Sequence, residues 1–319
     1  MQASSQRTWQ VRLALMLIVG VAAAAACVVA LMLWKAPVAS AQEEGPTGAN
    51  FVVQCGFSHQ KQVDPIVSPG PSGTNPDGTP VSPSFHMHDF FGNTTTDSDS
   101  TLESLRAAAS RSDHGTTCEP KPGQTFGDTA AYWIPTVSWT NTRGKTTTLK
   151  ASQTFFYYRA GLKDPASVKS QPPGLKIVTV QGQSVTWRCQ GDNWSTTPPT
   201  QCDNGTLVVR IFFPDCLAVD NSVPPQPLLD SPDHRSHMVA AGSAGCPSTH
   251  PYPVPRLQTN FLFHIPTTKG KPTLSSGEYT TMHVDFFNAW QVGTLEDLVA
   301  RCINNAPFTA SNPKPADCG

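Results

Sequence analysis

Eight cysteines spread from Cys55 to Cys318, no two of them in a Cys-x-x-Cys pair, constrain this chain more than any other feature. The missing Cys-x-x-Cys spacing argues against a zinc ribbon and against a thioredoxin-type redox site. An even number suits four disulfides, provided that the chain leaves the reducing cytoplasm. Its N-terminus supplies that condition. Arg7 and Arg12 precede an uncharged apolar run from Leu13 to Trp34, and Ala39-Ser40-Ala41 gives a small-residue cleavage pattern before Gln42. Residues 1–41 therefore read as a signal peptide. The run is also long enough for an uncleaved anchor of the same topology, since about 20 apolar residues span a bilayer. Both readings place the rest of the chain outside the cell or in its envelope, with membrane contact expected only through this segment. The ninth cysteine, Cys27, lies within the apolar run.

Eight cysteines allow roughly a hundred pairings. The sequential set is the expected one: Cys55 with Cys118, Cys189 with Cys202, Cys216 with Cys246, and Cys302 with Cys318. The second rests on the firmest ground, because a short polar loop separates its cysteines between two apolar runs. Thirty prolines in 319 residues are about twice the usual share of roughly 5%, so long helical bundles are disfavoured. Removing Arg7, Arg12 and Lys35 with the leader takes the formal charge from −1 to near −4. A basic footprint for nucleic acid is absent.

Residues 42–50 are small and polar and read as a flexible tether, leaving 51–319 as one domain. Strand-like runs lie at Ala131–Trp139, Thr154–Arg159, Leu175–Val180, Ser184–Arg188, Leu207–Phe213, Leu257–Ile265 and Glu278–Phe287. Pro, Gly and Asn separate them. The expected fold is mainly β, an antiparallel β-sandwich or jelly-roll-like domain with long Pro/Gly-rich loops and a short C-terminal helix, held by disulfides. That helix opens at Thr294 and carries Leu295, Leu298, Val299, Cys302 and Ile303 on one stripe. Ser100-x-x-Glu103 resembles the capping box of a second helix. In Glu278–Phe287, alternation puts Met282, Val284 and Phe286 on one face and His283 and Asp285 on the other.

No Gly-x-Ser-x-Gly elbow, His-Glu-x-x-His or phosphate-binding glycine loop is present. Histidines are the remaining lead. His86 and His88, two residues apart, can converge on one divalent metal or one anionic substrate. Asp233-His234-Arg235-Ser236-His237 follows Ser231-Pro232 and reads as a turn that aims polar side chains inward, and His283 with Asp285 forms a third polar pair. The candidate catalytic set is therefore His86, His88, Asp233, His234, His237, His283 and Asp285, with His86, His88 and His237 as candidate ligands of a divalent metal. Tyr132 and Trp194 are candidate ligand-binding aromatics. Against this stands the plainer possibility that His-x-His pairs are half-buried and bonded to backbone.

Eight ordered motifs carry a resemblance to a known family. They are Asp64-Pro65-Ile66-Val67-Ser68-Pro69-Gly70, His86-x-His88, Tyr132-Trp133-x-Pro135, Tyr157-Tyr158, Pro173-Gly174-Leu175, Phe213-Pro214-x-Cys216, Ser231-Pro232-Asp233-His234-x-Ser236-His237 and Cys246-Pro247. Over roughly Cys55 to Trp290 the chain resembles the Domain of Unknown Function 1996 (DUF1996) family of secreted bacterial and fungal proteins. The resemblance implies that His86, His88, Asp233, His234, Ser236 and His237 occupy motif positions. Fungal members are often joined to carbohydrate-binding modules, which points toward a polysaccharide or cell-wall glycan as partner. The expected function is a carbohydrate- or cell-wall-active enzyme with a His-rich, metal-assisted site. The alternative is a non-catalytic glycan-binding or envelope structural protein. Leu217-Ala218-Val219 and the Pro-rich stretch through Pro227 depart from the family pattern after Cys216.

Overall fold

A computed structural model describes residues 48–120, 127–179 and 185–319. The expected leader, and residues 42–47 of the expected tether, lie outside these residues. Ala49 and Asn50 are described, and they do not belong to a tether: Ala49 is buried and Asn50 begins a strand. Among the described residues no helix is long and apolar enough to cross a membrane.

Strands run in chain order as β1 (Asn50–Cys55), β2 (Phe57–Lys61), β3 (His88–Gly92), β4 (Ala131–Pro135), β5 (Val137–Asn141), β6 (Thr146–Thr148), β7 (Ala151–Arg159), β8 (Lys176–Val178) and β9 (Val185–Cys189). They continue as β10 (Thr206–Phe212), β11 (Cys216–Leu217), β12 (Met238–Val239), β13 (Tyr252–Pro253), β14 (Arg256–His264), β15 (Gly270–Leu274), β16 (Gly277–Glu278) and β17 (Asp285–Phe287). Two five-stranded antiparallel sheets dominate, in the orders β1-β7-β14-β10-β9 and β2-β3-β4-β17-β8. Phe51, Phe156, Val209 and Phe261 of the first sheet share one core with Phe91, Tyr132, Ile134, Ile177 and Phe286 of the second. This is the β-sandwich that the alternating apolar runs require. Smaller sheets, β16-β15-β5-β6 and β12-β11-β13, extend its margins.

Period-two alternation explains why the second sheet also has a useful outer face. Tyr132 and Ile134 of β4 point into the sandwich, so Ala131 and Trp133 point away from it, as do Phe90 of β3, Val178 of β8 and Phe287 of β17. Val63 and Ile66 from the Pro-rich connection between β2 and β3, together with Leu105 from helix α1 (Leu102–Ala107), cover this face as a second apolar layer. A cavity lies at its edge.

All four sequential disulfides form. Other expectations shift locally. The capping box of α1 is one residue later than expected, between Thr101 and Ser104. Helix α2 (Thr294–Val299) starts from Gly293, whose φ of 83° is in the left-handed region, and Thr294 is already helical. Its stripe is buried as expected, and Cys302 continues it to the bridge with Cys318. Glu278–Phe287 is not one strand: Glu278 ends β16, Tyr279–Thr281 is a 3₁₀ turn, and ladder pairing resumes only at Asp285–Phe287. Ala131–Trp139 divides at Thr136 into β4 and β5, which join different sheets.

Candidate metal centre

Strands β3, β8 and β17, the β2–β3 connection, the 231–237 turn and the residues before β17 build the cavity. β4 runs between β3 and β17, with His88 opposite Pro135 and Asp285 opposite Trp133. His88 and Asp285 therefore project from the same outer face, on either side of β4. His86 comes from the segment just before β3, His283 from the extended residues before β17, and Asp64 from the loop after β2. These, with Arg235, Phe85, Val67, Ser68, Ser84 and Val178, line a space of about 150 Å³.

Three imidazoles meet there. The ring of His86 is 4.4 Å from that of His88 and 5.2 Å from that of His283, and the last two are 6.0 Å apart, centre to centre. One nitrogen from each lies within 4.8 Å of the others, and Asp64, His88 and Asp285 form a second such group through His88. Backbone bonds fix which nitrogen is offered. His88 Nδ1 is 3.0 Å from the carbonyl of Val63, and His283 Nδ1 is 2.9 Å from that of Thr281. A carbonyl only accepts, so each Nδ1 donates its proton and each Nε2 is left with its lone pair. This arrangement is common to metal-binding histidines.

Several of the oxygen and nitrogen atoms facing the cavity lack partners. Nε2 of both His86 and His88, and both carboxylate oxygens of Asp285, are buried without a hydrogen bond. Asp64 is half satisfied, because its Oδ1 accepts from the backbone N–H of Ile66 at 2.8 Å and of Val67 at 2.9 Å. His283 Nε2 and Asp285 Oδ2 are 3.9 Å apart. That gap is too long for a hydrogen bond and suits two donors on one ion at about 2 Å from each.

Burial sets the protonation of these groups. It lowers the imidazole of His86 to about 4, helped by the neighbouring His283, and lowers those of His88 and His283. It raises the carboxyls of Asp64 and, further, Asp285, the latter also through the charge of Asp64. Neutral imidazoles are the form that binds metal. Burial raises the carboxyls against the opposing charge of Arg235 on Asp285 and of His86 on Asp64, and a divalent ion beside them would oppose it further.

The turn at 231–237 contributes differently from expectation. Both nitrogens of His237 are engaged, Nδ1 with Ser231 Oγ at 2.9 Å and Nε2 with the Lys176 carbonyl at 2.8 Å. It therefore pins the turn to β8 and does not line the cavity, and His283 takes the ligand position expected of it. His234 turns to Asp230, 2.8 Å from Nδ1. Asp233 is exposed and held well below the usual carboxylate range by the backbone N–H groups of Ser236 and Arg235 and the hydroxyls of Ser231 and Ser236. It closes the turn. None of these three reaches the cavity, but Arg235, between them, does.

The two expected ligand-binding aromatics are also used elsewhere. Tyr132 is fully buried, stacked on Phe156 and hydrogen-bonded to Asp128 and Tyr158. Trp194 carries the guanidinium groups of Arg188 and Arg210 over its ring, at 4.1 and 3.8 Å from the ring centre. Asp64 and Arg235 were not among the candidate side chains of the sequence. Asp64 opens the first of the eight motifs, and Arg235 stands in the seventh.

No curated protein and no solved structure matches the chain. The model of the family described as Domain of unknown function (DUF1996) matches residues 64–290. That span begins at Asp64 and contains every residue of the cavity, and the chain belongs to the DUF1996 family.

Proposed function

We propose that this is an exported protein of the cell envelope or extracellular space whose His86, His88, His283, Asp285 and Asp64 hold one divalent metal ion, and that it acts enzymatically on carbohydrate or cell-wall glycan. The observation that carries the metal reading is the convergence of three imidazoles on two buried carboxylates that, among the described residues, make no salt bridge to Lys or Arg. An uncompensated buried carboxylate is costly, and a mixed set of imidazole and carboxylate donors suits zinc and its neighbours among the transition metals. The ion would supply Lewis-acid polarisation of a substrate oxygen. His88 and His283 are oriented for this by their bonds to Val63 and Thr281. Asp285, whose oxygens make no hydrogen bond of ordinary geometry although the Trp133 indole acts on them, is the group able either to ligate or to accept a proton. Four disulfides accord with export.

Elemental analysis of the purified protein, followed by zinc, manganese and copper titration, tests this. One bound ion per chain is expected, lost in His88→Ala and in Asp285→Asn. Glycan turnover on a panel of wall and extracellular polysaccharides should depend on the same residues. Absence of stoichiometric metal would sink the proposal. Metal binding without turnover on any glycan would leave a non-catalytic binding protein in its place.

A further inference from the structure

The cavity holds more than its proposed ligands. Arg235 is exposed, lines the same space, and makes no ion pair with a described residue. Its charge acts on both His283 and Asp285. The 231–237 turn is built to hold it there: Ser231 Oγ and Asp233 Oδ1 both accept from its backbone N–H, at 3.1 Å each, while His237 fastens the turn to β8. Beside it stands Phe85, 92% exposed, next in sequence to His86. A phenyl ring so fully in water covers nothing of its own fold.

We infer that the ligand of this site is an acidic sugar, a uronic-acid unit whose carboxylate enters between Arg235 and the metal position while its ring stays outside against Phe85. This rests on the metal reading proposed above. Charge balance argues for the anion. A divalent ion against the carboxylates of Asp64 and Asp285 is neutral, and with neutral imidazoles the charge of Arg235 is left over. If either carboxyl kept its proton, the positive excess would only grow. A single negative group completes the site, and the fork of a guanidinium matches a carboxylate in shape as well as charge.

Size argues for the division of the ligand. A space of about 150 Å³ falls below the roughly 300 Å³ at which pockets begin to enclose whole small molecules. A carboxylate fits and a substituted pyranose does not. The ring must then lie at the mouth, where Phe85 and the partly exposed Val67 offer an apolar platform for the C–H face of a sugar.

Calorimetric titration of the zinc-supplemented protein, with its metal content measured in the same samples, tests this using trigalacturonate, its neutral methyl ester and glucose 6-phosphate. Trigalacturonate should bind at least tenfold more tightly than the ester. Arg235→Gln should remove that preference with metal content unchanged, and Phe85→Ala should weaken trigalacturonate severalfold without altering acetate binding. Equal affinity for acid and ester, or an Arg235→Gln protein that keeps the preference, overturns the inference while leaving the metal reading intact. Tighter binding of the sugar phosphate overturns the uronic-acid assignment in favour of a phosphorylated ligand. A protein that neither retains metal nor binds trigalacturonate overturns both.

Discussion

Asp128 should make the stability of this protein fall as pH rises through the weakly acidic range, and Asp128→Asn should abolish that dependence. The carboxyl is completely buried, with Oδ1 accepting from the Ala130 N–H at 2.7 Å and Oδ2 facing the hydroxyls of Tyr132 and Tyr158. Trp290 Nε1 closes the network on Tyr158 Oη at 3.0 Å. Burial pushes Asp128 up to about 7 from an ordinary 3.8, against the opposing hydrogen bonds of Tyr132, Ala130 and Tyr158. Below about pH 4 both the folded and unfolded chains carry the proton. Between about 4 and 7 the unfolded chain releases it and the folded chain retains it, so the folded state binds more protons and loses stability as pH rises. About three pH units at roughly 1.4 kcal/mol each give a loss on the order of 4 kcal/mol, complete above pH 7. Asn is a neutral isostere whose amide can serve the same tyrosines. Urea unfolding of both proteins from pH 4 to 8, disulfides intact, gives a difference curve in which the other titrating groups cancel. The wild type should lose ground to Asp128→Asn across that window by a few kcal/mol. A flat difference, or one that rises with pH, would refute the assignment of a buried neutral carboxyl.

His237→Ala should cost about 1–3 kcal/mol, through two buried bonds lost to Ser231 and Lys176, while leaving metal stoichiometry unchanged; loss of metal would restore it as a ligand. Lys163 and Asp215 form a buried ion pair, so Lys163→Met should destabilise by about 3–5 kcal/mol, and adding Asp215→Leu should recover part of it, as measured by denaturant unfolding. Equal losses in the single and double variants would show that the pair does not act as a unit. Removing Cys55–Cys118, with a separation of 63 residues, should cost about 4 kcal/mol, and removing Cys189–Cys202, with a separation of 13, about 3 kcal/mol. Reversal of that order would mean that folded-state effects outweigh loop entropy.

Elements whose partners are set by local pattern were legible. The run from Leu257 to Ile265 alternates as a strand with one core face, and Leu257, Phe261 and Phe263 are buried while His264 is exposed. The cysteine pairing followed the same logic of proximity along the chain. Phe57–Lys61 was less legible, because Phe57, Ser58, His59, Gln60 and Lys61 carry no apolar alternation, and β2 is held by pairing with β3. Tyr279 to Phe287 shows where period two misleads: Met282, Val284 and Phe286 are all buried, as a strand would place them, yet only the last three residues of the run join the ladder. Extended backbone is enough to alternate side chains; pairing needs a neighbour, which the sequence does not supply.

The site divides along the same line. His283 and Asp285 share a face because they are two residues apart, but their meeting with Asp64, His86 and His88 depends on β4 passing between β3 and β17. Residue type misleads most in the turn at 231–237, where three side chains with catalytic chemistry stand almost together. Asp233 uses its oxygens to close the turn, His234 is taken by Asp230, and His237 has both nitrogens engaged. What reaches the cavity is the arginine between them. Near β3 the account runs the other way: His88 has one nitrogen committed to Val63 and one left over, and Asp285 has both oxygens left over. A buried polar atom without a partner is expensive, so the atoms still unpaired mark where a ligand belongs. By that criterion the histidines of the 231–237 turn are structural, and those beside β3 and β17 are the ones available for chemistry.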